Sequence, residues 1–148
     1  RLMLPRFARG KFYPKNTEKY VGLSTPTYRS SWEHAFMRLC DEHPNVYKWA
    51  SESIKIPYRH PFTGKHTIYV PDFFIVYNDK NSKKHAEMVE VKPASQTTME
   101  AAGKSMAKRK QVLINHAKWE AASAYAKQNK LRFRVVSEED LFHNGKRK

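Results

Sequence analysis

The chain has 148 residues, 40% hydrophobic and 28% charged, with a formal net charge of +14 and a single cysteine. That length makes one domain with enough core to stand unstapled, and the lone Cys40 excludes an internal disulfide and a cysteine-rich zinc site. No apolar run reaches the about 20 residues that span a bilayer, and Arg1 to Gly10 lacks the apolar core of a signal peptide, so a soluble chain not secreted by that route is expected.

The chain starts at Arg1 rather than methionine, so native residues are expected ahead of it. From Arg1 to Pro26 there is neither helical nor strand periodicity. Basic and aromatic residues punctuated by Pro5, Gly10, Pro14, Gly22 and Pro26 read as an extended basic arm, residues 1–26, that orders on a partner. The rest, residues 27–148, reads as one domain. A helix is predicted from Ser30 or Ser31 to His43, with Trp32, Ala35, Phe36, Leu39 and Cys40 as its apolar stripe and Pro44 as its stop. Val46 to Trp49 and Ile54 to Tyr58 are short strand candidates, and Pro61 to Lys65 is a turn.

Two apolar segments follow, Val70-Pro71-Asp72-Phe73-Phe74-Ile75-Val76 and Val89-Glu90-Val91-Lys92-Pro93, separated by a polar turn at Asn78 to Lys84. Their β-branched and aromatic residues predict a hairpin of buried strands. The pattern then turns helical, roughly Thr98 to Asn115 and His116 to Gln128, the second helix with Trp119, Ala122, Tyr125 and Ala126 on one face. Leu131 to Val136 is a last strand, and Ser137-Glu138-Glu139-Asp140 a capped, acid-rich start to a terminal helix. Helix, strands, helices and strand in that order imply an α/β layer around a central mixed sheet.

Charge is unevenly distributed. Residues 1–30 hold seven Lys/Arg against one acid and residues 101–148 hold twelve against four, while residues 31–100 hold nine of each. Basic ends around a neutral middle fit a polyanion lying across an acidic site, so nucleic acid is the expected partner. The bland alternative is a soluble protein with solvated lysines.

Charge also stands where it is expensive, inside the hairpin. Side chains alternate along a strand, so Glu90 and Lys92 share a face opposite Val89 and Val91. With Asp72 on the adjacent segment, two carboxylates and an ammonium converge, an arrangement suited to a hard divalent cation beside a phosphate. Structural alternatives exist for each. Ser30-x-x-Glu33 fits a capping box, and by spacing alone capping is the better reading of Glu33. Asp72 could be a turn residue, and Glu90 with Lys92 an edge ion pair worth about 0.2 to 1 kcal/mol if exposed. Lys108-Arg109-Lys110 fans around a helix and reads equally as a solvated face or a phosphate contact. The seven histidines have no paired ligand spacing. Trp32, Trp119 and Tyr125 are core before they are base-stacking platforms, and no Gly-rich phosphate loop is present.

Pro71-Asp72 followed by Glu90-x-Lys92 resembles the motif of the PD-(D/E)XK nuclease superfamily. Thr27-Tyr28-Arg29-Ser30-Ser31-Trp32-Glu33 is similar to the opening of TnsA-type endonucleases and, more closely, of the head completion nucleases of tailed bacteriophages. Asn115-His116-Ala117-Lys118-Trp119 and Phe133-Arg134-Val135-Val136-Ser137-Glu138 also look like the phage proteins, so the resemblance runs from about Tyr13 to Leu141. It implies a restriction-endonuclease-like fold, with a central mixed sheet flanked by helices, and a metal-dependent DNA endonuclease acting in head completion after DNA packaging. Glu33, Asp72, Glu90 and Lys92 become the catalytic residues, and Asp72, Glu90 and Val91 the metal positions. Magnesium is the expected cofactor, with manganese as a substitute. Arg6, Arg9, Arg29, Lys108, Arg109 and Lys110 are the candidate DNA contacts. DNA is the expected partner, with portal or head-neck proteins beside it, no membrane, a monomer, and a location in the virion or the host cytoplasm during assembly. The rival is a basic head or neck protein that binds DNA and capsid partners without cutting.

Overall fold

The computed structural model of the protein describes residues 8–142. Two short strands, β1 (Gly10–Lys11) and β2 (Thr27–Tyr28), pair antiparallel and lead into helix α1 (Ser31–Glu42). Strand β3 (Val46–Ser51) follows, then a separate antiparallel ribbon of β4 (Ile56–Arg59) and β5 (His66–Tyr69). The predicted hairpin forms as β6 (Phe73–Asn78) and β7 (Lys84–Val91). Helices α2 (Met99–Ala102) and α3 (Met106–Gln128) cross to β8 (Arg132–Val136), and α4 (Glu138–Phe142) ends the described chain.

The central sheet runs β3-β6-β7-β8, antiparallel except for the parallel pair of β7 and β8. A parallel pair needs a long crossover, and α2 with α3 supplies it. Period-two alternation divides the strands between two cores. Phe73, Ile75, Val89, Val91 and Trp49 pack with Phe36, Met37 and Cys40 of α1 on one face. Met88 packs on the other with Ile56, Tyr58 and Tyr69 of the ribbon and with Ala122 and Ala126 of α3. A sheet covered on both faces accounts for the unbroken apolar run in β6.

Four sequence expectations are corrected here. Strand β5 fills residues 66–69, between the expected turn and the next expected strand, where no element was predicted, and β6 begins at Phe73, leaving Asp72 in a bend ahead of it. Leu39 is 45% exposed, whereas Met37 and Asp41 are buried. The helix break falls at Gly103, in the left-handed region at φ +66, with Ser105 capping α3, and not between Asn115 and His116. Asn115 stays in mid-helix because its amide is fully engaged, accepting from Gln111 at 2.9 Å and donating to the Gln96 carbonyl at 3.0 Å.

The fourth correction concerns the arm. Its described part, from residue 8 onward, packs on the domain and does not stand out from it as an extended arm. Phe12 enters the α1-side core, and Asp41 accepts the N–H groups of Lys15 and Asn16, both at 3.0 Å. Lys19 Nζ caps the end of α1 through the carbonyls of Asp41 and His43, and Tyr20 bridges to Trp49 at the open edge of β3. A carboxylate buried in this way is stable only while both N–H donors answer it. Asp41→Ala is therefore expected to lower unfolding free energy by about 1 to 3 kcal/mol, since buried donors are left unpaired. The segment before α1 should become the first site of limited proteolysis; unchanged melting and an unchanged digestion pattern would contradict this reading.

Candidate active site

The hairpin delivers its charges to one end of the sheet. Pro71 has no N–H to extend a ladder, and after it Asp72 turns its side chain back toward β7. Asp72 Oδ2 accepts the Val91 N–H at 2.8 Å, and the Asp72 N–H lies 3.3 Å from Glu90 Oε1. Glu90 alternates with Val89 and Val91, so it faces the α3 side, where the Tyr69 hydroxyl donates to its Oε1 at 2.7 Å. Lys92 keeps the same parity, with its N–H on the Val136 carbonyl at 2.9 Å and its Nζ 3.6 Å from Glu90 Oε2. Beyond it, Asn115 and His116 of α3 hold the carbonyls of Gln96 and Thr97, bracing the loop that follows the lysine.

Glu33 reaches the cluster from the first turn of α1. Ser30 Oγ accepts the Glu33 N–H at 3.1 Å, one half of a capping box, but the returning carboxylate takes the Arg29 N–H at 2.9 Å instead of that of Ser30. Its surroundings are those of a site. Burial pushes its pKa up, the Arg29 N–H and guanidinium pull it down, Glu52 raises it, and Lys92 lowers it.

The proton affinities tell one story. Burial first, then the charges of Glu90 and Glu33, push Asp72 well above the usual carboxylate range against the Val91 N–H and Lys92. Burial also raises Glu90, opposed by Lys92, Tyr69, the Asp72 N–H and Lys118. Burial at the edge of a core thus biases both carboxylates toward their protonated forms.

All four predicted catalytic positions, Glu33, Asp72, Glu90 and Lys92, thus meet in one electrostatic cluster, with Val91 as its backbone link. Arg29 stands at the rim, ion-paired with Glu52. Arg9 lies exposed on the docked arm, and Lys108, Arg109 and Lys110 are exposed at the start of α3. Arg6 lies outside the described residues. Three neighbours escaped the sequence reading. Lys118 Nζ stands 6.0 Å from the Tyr58 ring centroid and 5.7 Å from that of Tyr69, a cation over two aromatic faces. Burial and Lys92 lower its pKa, while Glu90 and Asp72 raise it. The signal was its spacing, four and seven residues before Ala122 and Tyr125 on the buried face. Tyr69 is the second, and only the unexpected strand β5 brings it to Glu90. Glu52 is the third; its N–H binds the Asp72 carbonyl at 2.9 Å while its backbone sits at φ +50, which no sequence pattern announced.

Among the described residues no three His, Cys, Asp or Glu side chains form a metal cage. Two neighbouring carboxylates, Asp72 and Glu90, are instead a donor set of the kind that suits magnesium, an ion that keeps several of its own waters.

A mixed sheet between helices, with acids and a lysine gathered at the mouth of one hairpin, defines a restriction-endonuclease-like domain. Residues 43–138 match the family model described as "TnsA-like endonuclease N terminal". The chain is also 32% identical over 142 residues to the "Head completion nuclease" of Enterobacteria phage T4, covering 89% of this chain and 92% of that relative. It belongs to the TnsA-like endonuclease family. Glu33 precedes the matched segment, so its link to the site rests on the fold.

Because the folded pKa of Asp72 is raised, the native state holds a proton that the unfolded chain releases, and stability falls as pH rises from the usual carboxylate value through the raised one. Asp72→Asn removes this dependence while keeping an acceptor for the Val91 N–H. With divalent ions chelated, the variant should melt a few degrees higher than the parent at neutral pH, the difference closing at about pH 4 and below, where both states are protonated. Melting curves across pH test this, and a less stable variant at pH 7 would refute it.

Proposed function

We propose that the protein is a magnesium-dependent DNA endonuclease that acts in phage head completion. The convergence of Glu33, Asp72, Glu90 and Lys92 on one end of the hairpin carries this reading, and the head completion nuclease of phage T4 supports the biological setting. Asp72 and Glu90 would hold the metal, with the Val91 carbonyl as a third donor and manganese as a workable substitute. The ion supplies positive charge to the scissile phosphate and lowers the pKa of water.

The chain's own side chains do the rest. Tyr69 and the Asp72 N–H fix Glu90 Oε1, leaving Oε2 turned to Lys92. From there the Lys92 ammonium donates to a phosphate oxygen and offsets the charge that grows as water attacks phosphorus. Glu33, with one oxygen committed to the Arg29 N–H, keeps the other for the attacking water, and burial strengthens it as a base. Water gives a proton to Glu33 as it forms the new P–O bond, the bond to the departing sugar oxygen breaks, and that oxygen takes up a proton from solvent. Lys118 supplies further positive potential behind Glu90. A noncutting structural protein would gain stability by discarding these crowded acids, so their retention favours the enzyme.

Supercoiled and linear DNA incubated with magnesium or with chelator test the reading. Cleavage is expected only with the metal, and Asp72→Ala, Glu90→Ala or Lys92→Ala should each lower it about a hundredfold or more, nonadditively in combination. Glu33→Gln separates capping from chemistry. A pure cap predicts full activity, whereas the proposed role predicts lost cleavage with unchanged melting and unchanged DNA affinity in chelator. Normal single-turnover cleavage by Asp72→Ala would exclude this assignment.

A further inference from the structure

The longest acid-free stretches of the chain are residues 53–71 and 101–119. Residues 53–71 hold three Lys/Arg and residues 101–119 hold five, and the fold packs one on the other. The first stretch forms the β4–β5 ribbon, which belongs to its own two-stranded sheet. Its inner face, Ile56, Tyr58 and Tyr69, lies on α3. Its outer face is exposed, with Pro57 opposite Ile68 and Arg59 opposite His66.

The ribbon's tip is built rather than loose. His60 Nδ1 accepts the N–H groups of Phe62 and Thr63 at 3.2 and 3.3 Å, and Arg59 Nε donates to the Gly64 carbonyl at 3.1 Å. Gly64 supplies the left-handed φ of +71 that closes the turn. This leaves Phe62, 51% exposed, standing at the end of a braced turn beside Lys65. Lys110 of α3 lies 6.0 Å from the Phe62 ring centroid, joining the tip to the exposed cations of the helix. At the other end Tyr69 binds Glu90, so the base of the ribbon is a wall of the candidate active site.

We propose that the outer face of the β4–β5 ribbon and the exposed opening of α3 form a grip for the backbone of substrate DNA, leading it to the Asp72–Glu90 cluster. Arg59 and Lys65 take phosphates from one side, Lys108 and Lys110 from the other, and Phe62 seats against a base or sugar. The acid-free composition favours a polyanion over a protein partner, and an exposed aromatic among cations is the chemistry of nucleic-acid contact. This grip deepens the endonuclease reading and rests on it. It adds two internal segments to the basic chain ends as candidate DNA surface.

The test measures binding of a DNA duplex in chelator, where cleavage does not intervene, across a range of salt. The double variant Arg59→Ala/Lys65→Ala should bind about tenfold more weakly, with a salt slope shallower by about two units, one per lost phosphate contact. Lys80→Ala/Lys83→Ala, in the β6–β7 turn, should match the parent. Phe62→Trp keeps every charge and sets a reporter at the tip, and its emission should be quenched as DNA is added. Parent-like affinity and slope in the double variant, or an unquenched Trp at saturating DNA, would overturn the grip while leaving metal-dependent cleavage intact. A parent protein that neither binds nor cuts DNA would instead sink the endonuclease reading beneath it.

Discussion

The hydrogen bond from the Val91 N–H to Asp72 Oδ2, 2.8 Å long, ties the residue ahead of β6 to the last residue of β7. Without it the bend at Asp72 would be free to swing its carboxylate into water. With it, Asp72 and Glu90 are held side by side, Lys92 follows directly after the strand, and α1 can deliver Glu33 to the same end of the sheet. The pairing of Phe73 with Val89 fixes the register that makes this bond possible. A slip of one residue would turn Glu90 into the α1-side core and Val89 toward the site, so the apolar alternation of the hairpin protects the chemistry as well as the fold.

Such a cluster opposes folding. Asp72 and Glu90 are both pushed toward their protonated forms by burial, and neighbouring acids add to the strain on Asp72. The fold tolerates it because cations and donors surround the acids on every side: the Val91 N–H, Tyr69, Lys92 and Lys118. A second buried acid, Asp41, is fully answered by backbone donors and only fastens the arm. A third, Glu87, is answered by Tyr77 at 2.6 Å and Arg134 at 3.0 Å. The difference separates these two structural acids from Asp72 of the candidate site: the former have complete sets of fixed partners, the latter has like charges for neighbours.

The two faces of the sheet divide the labour. The α1 side is sealed by the docked arm, by Phe12 and by the aromatic packing of Trp49 with Phe73. The α3 side carries Glu90, Tyr69 and Lys118 and opens onto the ribbon. A long helix is a rigid support, and α3 uses different stretches of its length for separate tasks. Its start is exposed and basic, Asn115 and His116 brace the loop after Lys92, Lys118 borders the acids, and Ala122 and Ala126 close the core.

Much of this was legible in the sequence because the relevant signals are local. β-Branched and aromatic runs around a polar turn predicted the hairpin, alternation the shared face of Glu90 and Lys92, Ser30 marked the start of α1, and the basic ends and neutral middle were countable. Glu33 was ambiguous there, because a capping glutamate and a site glutamate occupy the same place in a helix. The tertiary structure decided what depends on distant partners. It buried Asp41 in place of Leu39 through N–H groups more than twenty residues away, and kept Asn115 helical through the Gln96 carbonyl. Tyr69 and Lys118 were brought to Glu90, Glu52 to Arg29, and two separate basic segments onto one surface. Periodicity reports which face of an element is apolar, but the partner that answers a buried charge is chosen only when the chain closes on itself, since the energy of that charge depends on every group around it.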